Sequence, residues 1–133
     1  MIKMAAKIAK KKNLKVVKIS LNTRKPAGVD YAFNNIPPAR FLSLISFAEF
    51  VVTDSFHGVA FSINFKKELA VIPPDRYATR LISLIEVMGI SDRLMTREDQ
   101  LEKILQPVAM PKLIKRLEAE REKSYAFLQS VLN

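Results

Sequence analysis

Short β-branched runs that alternate with amphipathic helical stretches predict an α/β protein built on a parallel sheet with helices on both faces. The runs LKVVKIS (residues 14–20), EFVVT (49–53) and ELAVI (68–72) read as strands. Helical patterns separate the second from the third, and proline or glycine punctuates the joins. The length of 133 residues suits one domain, residues 1–133, with enough chain to bury a core.

Met4, Ile8 and the alanines at 5, 6 and 9 form an apolar stripe among lysines, which predicts a helix over about 2–11. The strand at 14–20 comes next. Residues 21–36 hold Asn22, Pro26, Gly28, Asp30, Asn34 and Asn35, a set that predicts a loop. Pro37 and Pro38 suit the first turn of a helix running to about Phe47, with Leu42, Leu44, Ile45 and Ala48 on its buried side. After the strand at 49–53, the stretch FHGVAFSIN (56–64) reads as a short helix capped by Asp54 or Ser55. The third strand ends at Pro73 and Pro74. In a helix at about 76–88, Leu81, Leu84, Ile85 and Met88 share a face and Gly89 closes the end. A short helix at 97–105 and a long one from Pro111 to about 131 complete the chain. Three strands make a small sheet. A fourth is expected near residues 93–95, or else a neighbouring strand lies outside this chain.

Composition removes several chemistries. There is no cysteine, so structural disulfides, thiolate metal sites and cysteine nucleophiles are excluded. A single histidine excludes a histidine-rich metal centre, and three glycines (Gly28, Gly58, Gly89) cannot build a Gly-rich phosphate loop. The longest apolar stretch, residues 41–52, is broken by Glu49 and falls short of the ~20 residues a membrane helix needs. The basic start MIKMAAKIAKKK is followed by no long apolar core, so no signal peptide or membrane span is expected and the expected compartment is the cytoplasm. The net charge of +9 is local: residues 1–25 hold nine Lys or Arg and no acid, while the remainder is balanced. Such a cluster suits either a solvated helix face or a nucleic-acid footprint.

If the strands are parallel, the loops after them gather on one edge, where open α/β sheets bind ligands. These loops carry Arg24 and Lys25, then Asp54, Ser55 and His57, then Asp75, Arg76 and Arg80. His57 lies in the first turn of a helix, whose free N–H groups attract anions. An anionic small-molecule site is therefore expected. Each residue also has a structural reading. Ser55 reads first as a helix cap, and Gly58 either admits a ligand to the backbone or permits close packing. Asp54, Ser55 and His57 are too near in sequence to line up as a hydrolytic triad. Arg80 sits where the helix dipole opposes a cation, which favours a nearby anion. Arg24, Lys25 and Arg76 read as solvated surface. The phenylalanines at 41, 47, 56, 61 and 65 read as core.

The segment FLSLISFAEFVVTDSFHGVAFSINF (41–65), followed by RLISLIEVMGISDRL (80–94), resembles the polysaccharide pyruvyl transferase family. The FLSLI helix, the VVTDSFHG turn and the arginine opening a helix that ends in MGISDRL carry the resemblance. It implies a three-layer, Rossmann-like fold like one half of a B-type glycosyltransferase. It also implies that the chain is the C-terminal, donor-side half of a two-domain enzyme whose N-terminal half is absent. Such enzymes transfer a pyruvyl group from phosphoenolpyruvate to a sugar of a surface or capsular polysaccharide, forming a ketal. His57 matches the family histidine associated with phosphoenolpyruvate and is the implied catalytic residue. Ser55, Gly58 and Arg80 join it as substrate-binding residues. No cofactor is implied, because phosphoenolpyruvate is the donor substrate. The implied partners are a glycan acceptor and either the N-terminal half or a second copy, and the isolated half is expected to be inactive. Two other readings remain open: half of a nucleotide-sugar glycosyltransferase, and a basic nucleic-acid-binding module using the lysines at 3–18.

Overall fold

The computed structural model describes residues 1–22 and 24–133. Helix α1 (Ile2–Lys12) places Lys10, Lys11 and Lys12 in its last turn, where the helix dipole favours cations, and ends at Asn13 in the left-handed region (φ 54°). Strand β1 (Val17–Ser20) pairs in parallel with β2 (Tyr31–Asn34), Val17 lying opposite Tyr31. The Asp30 carboxylate accepts the Val16 N–H at 2.8 Å, fixing where this pairing begins. Helix α2 (Pro38–Phe47) carries proline in its first turn, where a missing N–H is harmless.

A second parallel pair is formed by β3 (Phe50–Thr53) and β4 (Glu68–Val71), with Phe50 opposite Glu68 and Thr53 opposite Val71. Helix α3 (Phe56–Asn64) connects them. Helix α4 (Thr79–Met88) ends at Gly89, which adopts the left-handed φ of 67°. A 3-10 turn (Ser91–Arg93) leads to Leu94, which bridges Val71, and the Met95 N–H reaches the Val71 carbonyl at 2.8 Å. Helix α5 (Leu101–Ile104) and the 23-residue helix α6 (Met110–Leu132) finish the chain.

Side chains alternate across a strand, so β4 feeds two cores. Leu69 and Val71 pack with Val59 and Ile63 of α3, Leu81 and Ile85 of α4, and Leu113 and Leu117 of α6. Ala70 faces the other way, toward Ile8 of α1, Met95 and Ile104 of α5. Helices thus cover both faces of the β3–β4 pair. Arg93 is only 2 % exposed. Its guanidinium donates to the carbonyls of Ile104 at 3.2 Å and Gln106 at 2.8 Å, and to Asp92 at 2.6 Å. It thereby satisfies carbonyls that the end of α5 would otherwise leave without partners. Beyond Leu117, α6 leaves the core, and Tyr125, Phe127, Leu128, Val131 and Leu132 are exposed.

The structure corrects the expected single sheet of three strands. The described residues form two separate two-stranded parallel sheets, and β1 pairs with neither β3 nor β4. Strand β2 lies inside the segment expected to be a loop, because YAFN is only four residues long and turn-forming residues flank it. The first strand starts at Val17 rather than residue 14, and α4 starts at Thr79, which leaves Arg76 in the preceding loop. The expected helix at 97–105 divides into a 3-10 turn (Glu98–Gln100) and α5. The strand expected near 93–95 is reduced to the one bridge at Leu94.

Candidate functional site

The turn joining β3 to α3 is held by its own short side chains. Thr53 Oγ1 accepts the Ser55 N–H at 3.1 Å, and Ser55 Oγ accepts the Gly58 N–H at 3.4 Å. Ser55 is therefore the N-cap of α3. A Cβ added at Gly58 would overlap Thr53 Oγ1 and stand 3.0 Å from Thr53 Cβ, so only glycine lets α3 approach β3 this closely. The N–H groups of Phe56 and His57 lie in the first turn, where no intrahelical acceptor exists.

His57 is exposed on this first turn. Its ring meets Phe56 edge-on (5.8 Å between centroids, 90°) and stacks on Phe61 (6.4 Å, 27°). Phe61 continues the row to Phe65 at 6.4 Å and to Phe41 of α2 at 6.2 Å. Arg80, exposed in the first turn of α4, places its guanidinium carbon 4.9 Å from the centroid of Phe56. Phe56 thus touches both His57, beside it in the first turn of α3, and Arg80, in the first turn of α4. The ring face also offsets the unfavourable helix-dipole position of the arginine.

The other expected residues are less tightly gathered. Asp54, Asp75, Arg76, Arg24 and Lys25 are all exposed. Among the described residues no hydrogen bond joins Ser55 to His57, because the Ser55 hydroxyl serves the Gly58 N–H. The expected apolar core of phenylalanines is also corrected. Phe47 is 85 % exposed, and Phe41, Phe56 and Phe61 are half-buried in the row beside His57. Phe56 is the member of the site that sequence reasoning missed. Tyr77, exposed with a left-handed φ of 62° in the loop after β4, was not foreseen either. The α1 lysines are partly engaged: Lys7 pairs with Glu98 at 2.5 Å and Lys11 with Glu102 at 2.6 Å.

Residues 2–76 match the sequence pattern of the polysaccharide pyruvyl transferase family, which is more than half of the chain. The chain belongs to this family. No curated protein and no solved structure matches it. In this pyruvyl transferase family member the matched segment contains the four strands found among the described residues and Ser55, His57 and Gly58, while Arg80 lies just beyond it. The family is one of transferases in polysaccharide biosynthesis, so its acceptor is a glycan. Among the described residues no helix is long and apolar enough to cross a membrane.

Proposed function

We propose that this chain is the donor-binding unit of an enzyme that moves a pyruvyl group from phosphoenolpyruvate onto a sugar of a surface or capsular polysaccharide. The observation that carries this reading is the contact of both His57 and Arg80 with Phe56, at the starts of α3 and α4. Phosphoenolpyruvate has a phosphate and a carboxylate. A guanidinium, an imidazole and a helix start are suitable partners for two anionic groups. In the transfer, C3 of the donor takes a proton and two sugar hydroxyls add to C2, each losing a proton. Inorganic phosphate leaves, and a ketal remains. His57 either delivers the proton or holds the phosphate.

The donor-side wall alone neither excludes water nor positions the sugar hydroxyls, and catalysis depends on both. The isolated chain is therefore read as binding donor without turnover, its cleft completed by an N-terminal half or a second copy. The exposed end of α6 supplies apolar surface for such contact.

Titrating the chain with phosphoenolpyruvate while following amide resonances tests the reading. Peaks of residues 54–59 should shift, together with that of Arg80. If those peaks stay still while others move, the site is elsewhere. A parallel titration with a nucleoside-diphosphate sugar separates this donor from that of a glycosyltransferase half.

A further inference from the structure

Strands β3 and β4 are parallel, so the loops that follow them leave by the same edge of this sheet. The Ile72 N–H donates to the Thr53 carbonyl at 3.0 Å, which holds the start of the second loop against the start of the first. The far end of the second loop is held as well, because Arg80 rests on Phe56 of α3. Residues 73–79 thus run between two anchors that both lie at the β3–α3 turn, and Pro73 and Pro74 restrict the backbone where they begin.

Tyr77 stands in this loop with a φ of 62° and is 95 % exposed. Among the described residues three other non-glycine residues have positive φ, and each has a local reason. Asn13 closes α1, and Lys66 lies just past α3, where the Lys66 and Lys67 N–H groups reach the carbonyls of Ile63 at 3.0 Å and Ser62 at 2.8 Å. Asn35 is of a type that visits this region readily. Tyr77 ends no helix, since α4 begins two residues later, and its bulky side chain is disfavoured at this φ. An exposed aromatic ring alone needs no explanation. Exposure joined to backbone strain does, because such strain gathers at ligand clamps.

The neighbours of Tyr77 select the ligand. Asp75 and Arg76 are exposed, and among the described residues neither is in an ion pair. Their charges cancel, so together they offer hydrogen bonds without a net pull on an anion. The negative face of an aromatic ring attracts the slightly positive C–H groups on the flat side of a sugar ring. A carboxylate accepts from hydroxyls and a guanidinium donates to them. A neutral, hydroxyl-rich ring with one apolar side uses all three groups, and the family acts on glycans.

We propose that the β4–α4 loop binds the acceptor, with one sugar ring stacked on Tyr77 and its hydroxyls held by Asp75 and Arg76. This rests on the reading above only in placing the donor at the neighbouring β3–α3 turn. The loop supplies one face of the acceptor site, and the remaining contacts come from the opposite wall of the cleft.

The test titrates the 133-residue chain with the methyl β-glycosides of galactose, glucose and mannose, followed by amide shifts and by saturation transfer to the sugar protons. At least one glycoside should shift the amides of residues 75–79. Tyr77→Ala should weaken that binding about fivefold, and Tyr77→Phe, which keeps the ring, by less than about twofold. Tyr77→Gly should weaken it as alanine does while the melting temperature stays level or rises, since glycine adopts this φ without penalty. Phosphoenolpyruvate should shift residues 54–59 equally in Tyr77→Ala and the natural chain. Binding of none of the glycosides, or equal binding by Tyr77→Ala, overturns the proposal. So does a lower melting temperature for Tyr77→Gly, which would make the ring structural. Binding of uridine diphosphate through Tyr77 in place of the glycosides, or loss of the phosphoenolpyruvate shifts in Tyr77→Ala, overturns it too. If a glycoside binds through Tyr77 while phosphoenolpyruvate shifts nothing in the natural chain, the acceptor contact stands and the donor reading alone fails.

Discussion

The Arg80 guanidinium rests on the face of Phe56, although the two residues open different helices and lie on either side of β4. At an exposed site this contact contributes only about 0.5–1 kcal/mol to stability. Its larger effect is to hold a cation against a ring that also contacts His57, in a place where the α4 dipole alone would disfavour it.

Replacing Arg80 by alanine should therefore affect binding more than folding. The dissociation constant for phosphoenolpyruvate should rise about tenfold, the scale of one lost charge-assisted hydrogen bond. The melting temperature should fall by no more than about 4 °C. Calorimetric titration and a thermal melt of the same sample give both numbers. A large fall in melting temperature with unchanged affinity would mark the arginine as structural.

Gly58→Ala should destabilise the protein by about 1–3 kcal/mol, because the new methyl group meets Thr53. Removing the obstacle with Thr53→Ala should recover part of that loss. The double-mutant cycle should then show a coupling of at least about 0.5 kcal/mol in urea denaturation. Strict additivity would mean that the two residues do not touch.

The Asp30 carboxyl is held below its usual range, chiefly by the Val16 N–H that it accepts and also by nearby Lys15. Its folded pKa lies below the unfolded value of about 3.9, so its ionised form favours the folded state. The contribution is fully present above about pH 5 and is lost as pH falls through the folded pKa. The stability difference between the natural chain and Asp30→Asn should be constant from pH 5 to 7 and shrink toward pH 2. Urea denaturation across that range measures it, and a difference independent of pH would refute the linkage.

Arg93→Met should cost about 2–4 kcal/mol, because it leaves the carbonyls of Ile104 and Gln106 without their donor. Amides at the end of α5 should also exchange faster. Arg97→Ala, at an exposed ion pair with Asp99, should leave stability almost unchanged. Similar losses for the two variants would contradict the burial seen here.

The helices were legible in the sequence because each carries its own period and its own end signals, such as Pro38 at the start of α2, Ser55 before α3 and Gly89 after α4. Strand β2 was hidden because four residues between Asp30 and Asn35 give no period to read, and its pairing with β1 is a tertiary fact. Arg93 reads as a surface charge until the carbonyls that receive it, ten to thirteen residues later, are brought around it. Ser55, His57 and Gly58 could be placed from order alone, since they follow a strand and open a helix. The Phe56 contact to Arg80 could not, because it depends on how α3 and α4 sit across β4.

The turn between β3 and α3 is closed by links that span no more than five residues: Thr53 to Ser55, Ser55 to Gly58, and Gly58 against Thr53. Such a turn has little freedom left to lose when a ligand arrives. An anion binding at its N–H groups gives up its own motion but need not order the protein, which lowers the entropic penalty of association. The same rigidity limits adjustment. Under the proposed function, a donor whose two anionic groups are spaced differently would meet backbone dipoles that cannot move, so selection between donors would rest on fixed geometry.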